Sequence, residues 1–219
     1  MKLLNNLFFY PEQGELDCNT YVFTGQPGVI IDPGNPEFLA VRVDDMHQDG
    51  IEPGEIGFIV NTHLHIDHSA ANQAFKDISG AKIALHPVQQ ENYRARVIDS
   101  ARMFGLTPQE FKADYILDNR LNAGDIELEL ILAPGHATEC VCFYHRKLKV
   151  LVCGDVLFEM NTGRVDFPEG NADDLKKSIE ALSLLDIEYL LPGHMGIVAG
   201  AAKVAANFDF IKKQVLPWL

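Results

Sequence analysis

The sequence has little cysteine, little positive charge and no long apolar run. Four cysteines, Cys18, Cys140, Cys142 and Cys153, occur in 219 residues and form no C-x-x-C pair. Three lie in strand-like runs and Cys18 just precedes one, so buried, reduced thiols and a cytoplasmic address are expected. Lys and Arg number 18 against 31 Asp and Glu, a net charge of −13. With a pI near 4.9, such a field repels phosphate backbones and argues against a nucleic-acid partner. No stretch approaches the ~18 apolar residues of a membrane span. Near the N-terminus Asn5 and Asn6 break the apolar run, and no small-residue cleavage site follows, so no signal peptide is expected. A Gly-x-Ser-x-Gly elbow is also missing, which leaves no serine nucleophile of that kind.

What is present is ordinary in bulk and unusual in one place. With 47% hydrophobic and 22% charged residues, the chain can build one sizeable core, and a single domain over 1–219 is expected. The unusual place is Thr62-His63-Leu64-His65-Ile66-Asp67-His68. Three imidazoles and a carboxylate fall within six residues, and these are preferred ligands of zinc-like ions. In an extended segment, residues i and i+2 face the same way, so His63 and His65 can reach one ion. Asp67 and His68 can turn to a second. The run Ile56-Gly57-Phe58-Ile59-Val60 before the cluster reads as a buried strand. The stretch after it reads as a helix start with Ser69 as cap.

Along the chain, strands are predicted at 3–10, 19–24, 29–31, 56–61, 81–85, 126–133, 140–144, 148–153 and 188–191. Helices are predicted from 36 to 48 with Phe38, Val41 and Met46 inward, from 69 to 77, from 171 to 185 and from 198 to 215. Residues 87–122 lose the strand pattern, and two helices, 87–104 and 108–114, are predicted there as a helical insert. Strands separated by helices suggest two sheets with helices packed outside.

Several predicted strands end in a residue able to bind or orient a metal. The endings are Asp32-Pro33-Gly34, Pro134-Gly135-His136, Gly154-Asp155 and Pro192-Gly193-His194. Sites assembled from strand ends are held by rigid elements. His136, Asp155 and His194 thus join the first four candidates, while His47, His86 and His145 lack a comparable setting. Seven ligands exceed one tetrahedral zinc and suit two divalent ions. The expected allocation puts His63, His65 and His136 on one ion and Asp67, His68 and His194 on the other, with Asp155 bridging. Zinc is the expected metal, with iron or manganese as alternatives.

The order His63-x-His65-x-Asp67-His68, His136, Asp155, His194 resembles that of the metallo-β-lactamase-fold hydrolases, over nearly the whole chain. The resemblance implies a four-layer αβ/βα sandwich with a dinuclear site along one sheet edge. It also implies that Asp32 is an outer acid that orients the metal loop. Within that family, the lactamases have a cysteine or no ligand where Asp155 stands, so lactamase activity is not expected. Flavin-linked diiron members carry Glu in place of His65 and add a flavin domain, which also does not match. The segment from Gly163 through Arg164 to Asp173 resembles the glyoxalase II-like branch, which hydrolyses thioesters. Twenty-five residues follow His194, enough for one closing helix, so weak dependence on glutathione is expected.

The function expected on these grounds is hydrolysis of small acyl thioesters or esters by a metal-bridging hydroxide. Asp67 is the catalytic candidate, orienting the hydroxide and relaying a proton. Arg164, Phe104, Phe111 and Tyr115 are candidate substrate contacts, with the 87–122 segment as an apolar wall or a homodimer contact. The rival readings are a lactonase of the same fold, a persulfide dioxygenase with a single iron, and a metal-binding protein without catalysis. A small-molecule substrate is expected, with no membrane partner.

Overall fold

The computed structural model describes residues 1–219. The chain forms two compact units, Met1–Glu127 and Leu128–Leu219. The first is built on a seven-stranded sheet. Its strands are β1 (Lys2–Leu4), β2 (Leu7–Tyr10), β3 (Thr20–Phe23), β4 (Gly28–Ile31), β5 (Ile56–Val60), β6 (Lys82–Leu85) and β7 (Tyr115–Ile116). They lie side by side in chain order. The first four are antiparallel, and β4 through β7 are parallel.

Parallel neighbours need crossover connections. Helix α1 (Leu39–Gln48) joins β4 to β5, and α2 (Ile66–Ser69) and α3 (Asn72–Ser79) join β5 to β6. Phe8, Val22, Ile30, Ile59 and Ile83 of the sheet pack with Leu39 and Met46 of α1 and Phe75 of α3. The alternate residues Phe9, Tyr21, Phe23, Val29 and Ile31 are buried as well. Strands buried on both faces read as continuous apolar runs rather than alternating ones, as Val29-Ile30-Ile31 does.

The predicted strand at 3–10 is two strands. Asn5 and Asn6 turn the chain, and Leu4 pairs with Leu7 across the hairpin. Helix α1 begins at Leu39, and its inward residues are Leu39, Arg42 and Met46. Val41 is exposed, so a charged residue takes the inward place expected for a valine. Ser69 does not cap a helix. It closes α2, its hydroxyl donating to the carbonyls of Leu64 and His65, and His65 is the residue before the first turn.

In the 87–122 segment, α4 (Pro87–Tyr93) runs through a π-helical stretch, Arg94–Asp99, into α5 (Ser100–Met103). The second helix predicted there, 108–114, does not form. Residues 107–113 are irregular, and Phe111 is pinned by the Tyr93 hydroxyl, which accepts from its backbone N–H at 2.8 Å.

Strand β8 (Arg120–Ala123) and β9 (Ile126–Leu132) lead into the second unit. A six-stranded sheet follows with β10 (Val141–His145), β11 (Val150–Gly154), β14 (Tyr189–Pro192) and β15 (Val198–Ala199), ordered β15-β14-β11-β10-β9-β8. The pair β12 (Leu157–Phe158) and β13 (Asn161–Thr162) forms a separate hairpin. Helix α6 (Ala172–Leu182) crosses from β11 to its parallel neighbour β14, and α7 (Ala201–Phe210) closes the unit. Leu175, Ile179 and Leu182 of α6 and Val204 and Phe208 of α7 pack with Cys142, Tyr144, Leu151 and Leu190. The last predicted helix starts three residues late because Val198 and Ala199 pair with β14 and Gly200 turns the chain at φ +103°. No helix is long and apolar enough to cross a membrane.

Candidate metal centre

The first unit carries the histidine cluster at the carboxyl end of β5, where open α/β sheets present ligands. Asp32, just past the neighbouring strand β4, organises it. Its Oδ1 accepts the Thr62 backbone N–H at 2.8 Å, and its Oδ2 accepts the Thr62 hydroxyl at 2.6 Å. The same Oδ2 lies 3.0 Å from His68 Nδ1. Because a carboxylate only accepts, Nδ1 of His68 carries the proton and its Nε2 presents a lone pair. Thr62 spends its hydroxyl proton on Asp32, so its oxygen accepts from His63 Nδ1, 3.2 Å away. His63 Nε2 is then also a lone pair.

That nitrogen lies 3.0 Å from His65 Nδ1. Two ring nitrogens that close need a proton or a cation between them. Metal–nitrogen bonds of roughly 2.0–2.1 Å in a tetrahedral shell set ligand nitrogens about 3.3 Å apart, so the pair fits a zinc-like ion. Asp67 Oδ2 sits 3.8 Å from His68 Nε2.

The second unit supplies a carboxylate between two imidazoles. Asp155 Oδ2 is 3.7 Å from His136 Nε2 and 3.4 Å from His194 Nε2. His136 Nδ1 donates to the Arg164 carbonyl at 2.8 Å, which again leaves Nε2 as the lone pair. His136, His194 and Asp155 follow β9, β14 and β11 respectively. The backbone around them is packed too tightly for side chains. A Cβ at Gly163 would meet the Asp155 carbonyl oxygen at 1.8 Å, and one at Gly135 would meet the Leu175 backbone at 2.3 Å. Helix α6 therefore seats the turn that carries His136. Asn171 N–H donates to Gly135 O at 2.8 Å, and Ser178 Oγ to Pro134 O at 2.7 Å.

The other candidates are placed as follows. The guanidinium of Arg164 makes two hydrogen bonds to Asp166, at 2.6 and 2.5 Å, and lies 4.1 Å over the Phe167 ring. Those bonds pull the Asp166 carboxyl down to about 2. Phe111 is buried in the first unit's core with its ring against Tyr93, whereas Phe104 and Tyr115 are about half exposed. His47 pairs with Glu52 at the surface, His86 caps α4, and His145 Nδ1 lies 3.4 Å from the Leu148 N–H.

Sequence reasoning missed the supports of the histidine cluster. Asn61 Nδ2 donates to the His68 carbonyl at 3.1 Å, and Asn72 Nδ2 donates to Asn61 Oδ1 at 2.7 Å. Gln89 from α4 reaches the Asn61 carbonyl. Thr62 and Asn61 adjoin the motif and could have been suspected there. Nothing local marks Asn72 or Gln89.

Each sheet presents imidazole and carboxylate donors past its strand ends, a donor set suited to divalent metal ions. The model of the metallo-beta-lactamase superfamily matches residues 13–194, and the chain belongs to that superfamily. It is 26% identical over 184 residues to a probable metallo-hydrolase, MJ0888, of Methanocaldococcus jannaschii, covering 80% of this chain and 86% of that one. It is 29% identical over 176 residues to the hydroxyacylglutathione hydrolase GloC of Haemophilus influenzae, covering 75% and 78%. Among solved structures, the BLEG-1 B3 metallo-beta-lactamase superposes with a TM-score of 0.79 at 26% identity, covering 94% of this chain and 99% of that one. TTHA1623 in a di-iron-bound form superposes at 0.74 with 26% identity, covering 90% and 98%. The fold is the α/β metallo-β-lactamase fold, and the chain is a metallo-hydrolase of that superfamily.

Proposed function

We propose that the chain hydrolyses small acyl thioesters or activated esters with two divalent cations. In this reading His63, His65 and His136 hold one ion, Asp67, His68 and His194 hold the other, and Asp155 is shared. The observation that carries it is the fixed tautomer of His63, His68 and His136, each of which turns a lone pair outward and spends its proton on the protein. Outer hydrogen bonds of that kind accompany metal-binding histidines. Asp155, between His136 and His194, suits a shared ligand because one charge offsets part of the repulsion between two cations.

When bound, the cation pair supplies hydroxide at neutral pH and polarises the acyl carbonyl. The protein's own residues do the rest. Asp67, half-buried in the first turn of α2, would orient the attacking oxygen and carry its proton to the departing thiolate or alkoxide. Water adds to the acyl carbon, the carbon–sulfur bond breaks, one proton goes to the sulfur, and a thiol and a carboxylate leave with the other proton released to solvent. The exposed Phe104 and Tyr115 offer apolar surface to the acyl chain. Phe111 is occupied by core packing, and Arg164 meets a substrate anion only by giving up Asp166.

The likeness to GloC supports a thioester. The net charge of −13 suits a small molecule over nucleic acid. Four buried cysteine thiols suit a reducing, cytoplasmic setting. Zinc is the metal we assign, and the di-iron form of TTHA1623 makes iron the alternative to test.

The deciding experiment runs zinc- and iron-loaded protein side by side on five substrates. These are a thioester with and without glutathione, an acylated lactone, a chromogenic β-lactam, and glutathione persulfide with oxygen uptake recorded. Thioester cleavage that varies little with the glutathione moiety is expected. Oxygen uptake by the iron form with no thioester cleavage by either form refutes the hydrolase reading. Faster lactone or β-lactam opening changes the substrate and keeps the mechanism.

A further inference from the structure

Arg42 and Asp17 form an ion pair inside the first unit, with Arg42 Nη2 2.6 Å from Asp17 Oδ2 and both side chains at most 1% exposed. Nε and Nη1 of Arg42 make no hydrogen bond. A guanidinium desolvated for one paired nitrogen is a poor source of stability, since apolar residues of similar size often do as well. Its connections suggest another use.

Asp17 Oδ1 accepts the Asn35 backbone N–H at 3.1 Å, and Asp17 Oδ2 accepts the Gln13 N–H at 2.9 Å. Arg42 also donates to the Cys18 carbonyl at 3.3 Å. The pair therefore grips the loop before β3 and the 32–35 turn together. That turn bonds to His68 twice and to Ala71 once. Gly34 N–H donates to the His68 carbonyl at 3.3 Å, Ala71 N–H donates to the Gly34 carbonyl at 2.9 Å, and Asp32 Oδ2 accepts from His68 Nδ1. Contact across the turn is close. Gly34, at φ +83°, lies so near the pair that a Cβ there would meet Asp17 Oδ1 at 2.3 Å and Arg42 Nη2 at 3.1 Å.

Two non-glycine residues on this path, Leu16 at φ 58° and Asp32 at φ 55°, hold left-handed conformations. Such strain persists only where the surroundings over-determine it. Asp17 follows the first, and the second is the acid that orients His68.

We propose that the buried Asp17–Arg42 pair is a positioning device for His68. It fixes the turn from which the imidazole is aimed, and so sets how tightly the cation position containing His68 is held. The inference rests on the reading of His68 as a ligand. Arg42 and Asp17 touch neither cation nor substrate and act through the 32–35 turn.

The test compares wild type, Arg42→Met, Arg42→Lys and, as a control, Lys76→Met, which breaks the Lys76–Asp114 pair of α3. Two quantities are read in each. One is the His68 Nδ1–H resonance in metal-free protein. The other is the affinity of each zinc equivalent by competition with a chromophoric chelator. In Arg42→Met the His68 signal should broaden or move, and the second equivalent should weaken at least tenfold while the first stays within twofold of wild type. Arg42→Lys keeps the charge but not the forked reach, and should weaken the second equivalent about threefold. Lys76→Met should leave both readouts unchanged.

A wild-type resonance and wild-type second affinity in Arg42→Met overturn the proposal, however far its melting temperature falls. If Arg42→Met does not fold, wild-type values in Arg42→Lys overturn it instead. If wild type itself binds fewer than two cations, the dinuclear reading fails, and the His68 resonance alone still decides the positioning role.

Discussion

Gln89 Nε2 donates to the backbone carbonyl of Asn61 at 2.8 Å, binding α4 to the last residue before the Thr62-His63 motif. Gln89 is 1% exposed, and its Oε1 accepts the His86 backbone N–H at 3.0 Å. Replacing it by Ala leaves a buried donor and a buried acceptor unpaired, at about 1–3 kcal/mol each. Gln89→Ala should therefore lower the melting temperature clearly, and zinc content after dialysis should fall with it. Thermal melts and elemental analysis on one preparation check both.

The same corner has a pH dependence. His86 Nδ1 accepts the Val88 backbone N–H at 3.2 Å, a bond that needs the neutral ring. Burial lowers the His86 pKa, so the unfolded chain takes up this proton at a higher pH than the folded one. Stability from this group is full above the unfolded value of about 6.5 and is lost as the pH falls below it. Urea midpoints measured from pH 8 to 5 should fall on the acid side, and His86→Gln should flatten that slope.

Asp32→Asn should separate fold from metal. An amide keeps one acceptor for Thr62 but presents N–H groups where Oδ2 took the Thr62 hydroxyl and His68 Nδ1. His68 must then move or change tautomer, and the second course protonates the nitrogen proposed to meet the ion. The expected result is a near-native circular dichroism spectrum with cation affinity reduced about 10- to 100-fold. Zinc competition titrations measure it, and unchanged affinity would contradict the assigned tautomer.

Gly163→Ala should cost more than a usual methyl. The added Cβ falls 1.8 Å from the Asp155 carbonyl oxygen and 3.1 Å from the His136 ring. Overpacking of this kind costs about 1–3 kcal/mol, and here the atoms that must give way belong to two proposed ligands. Turnover and metal content should both collapse. Gly54→Ala, which meets nothing within 4 Å and has no positive φ, is the control for an added methyl without overpacking.

Much of this protein was legible before any fold was known. His63, His65, Asp67 and His68 are neighbours in the chain, and metal chemistry needs those residue types close together. The turns at Asp32, His136, Asp155 and His194 follow short apolar runs that end at Gly, Pro or Asp, and that length and punctuation read as buried strands. Errors fell where local pattern competes with longer-range pairing. The 3–10 run folds back on itself, and residues 107–113 stay irregular because Phe111 is drawn into a core that its neighbours do not announce. Tertiary structure alone decided which nitrogen of His63, His68 and His136 carries a proton, since that depends on Thr62, Asp32 and the Arg164 carbonyl, the last two distant in sequence from the imidazoles they meet. It alone also decided that Arg42 turns inward to Asp17, because a helix position says which face a residue occupies and not what charge waits across it.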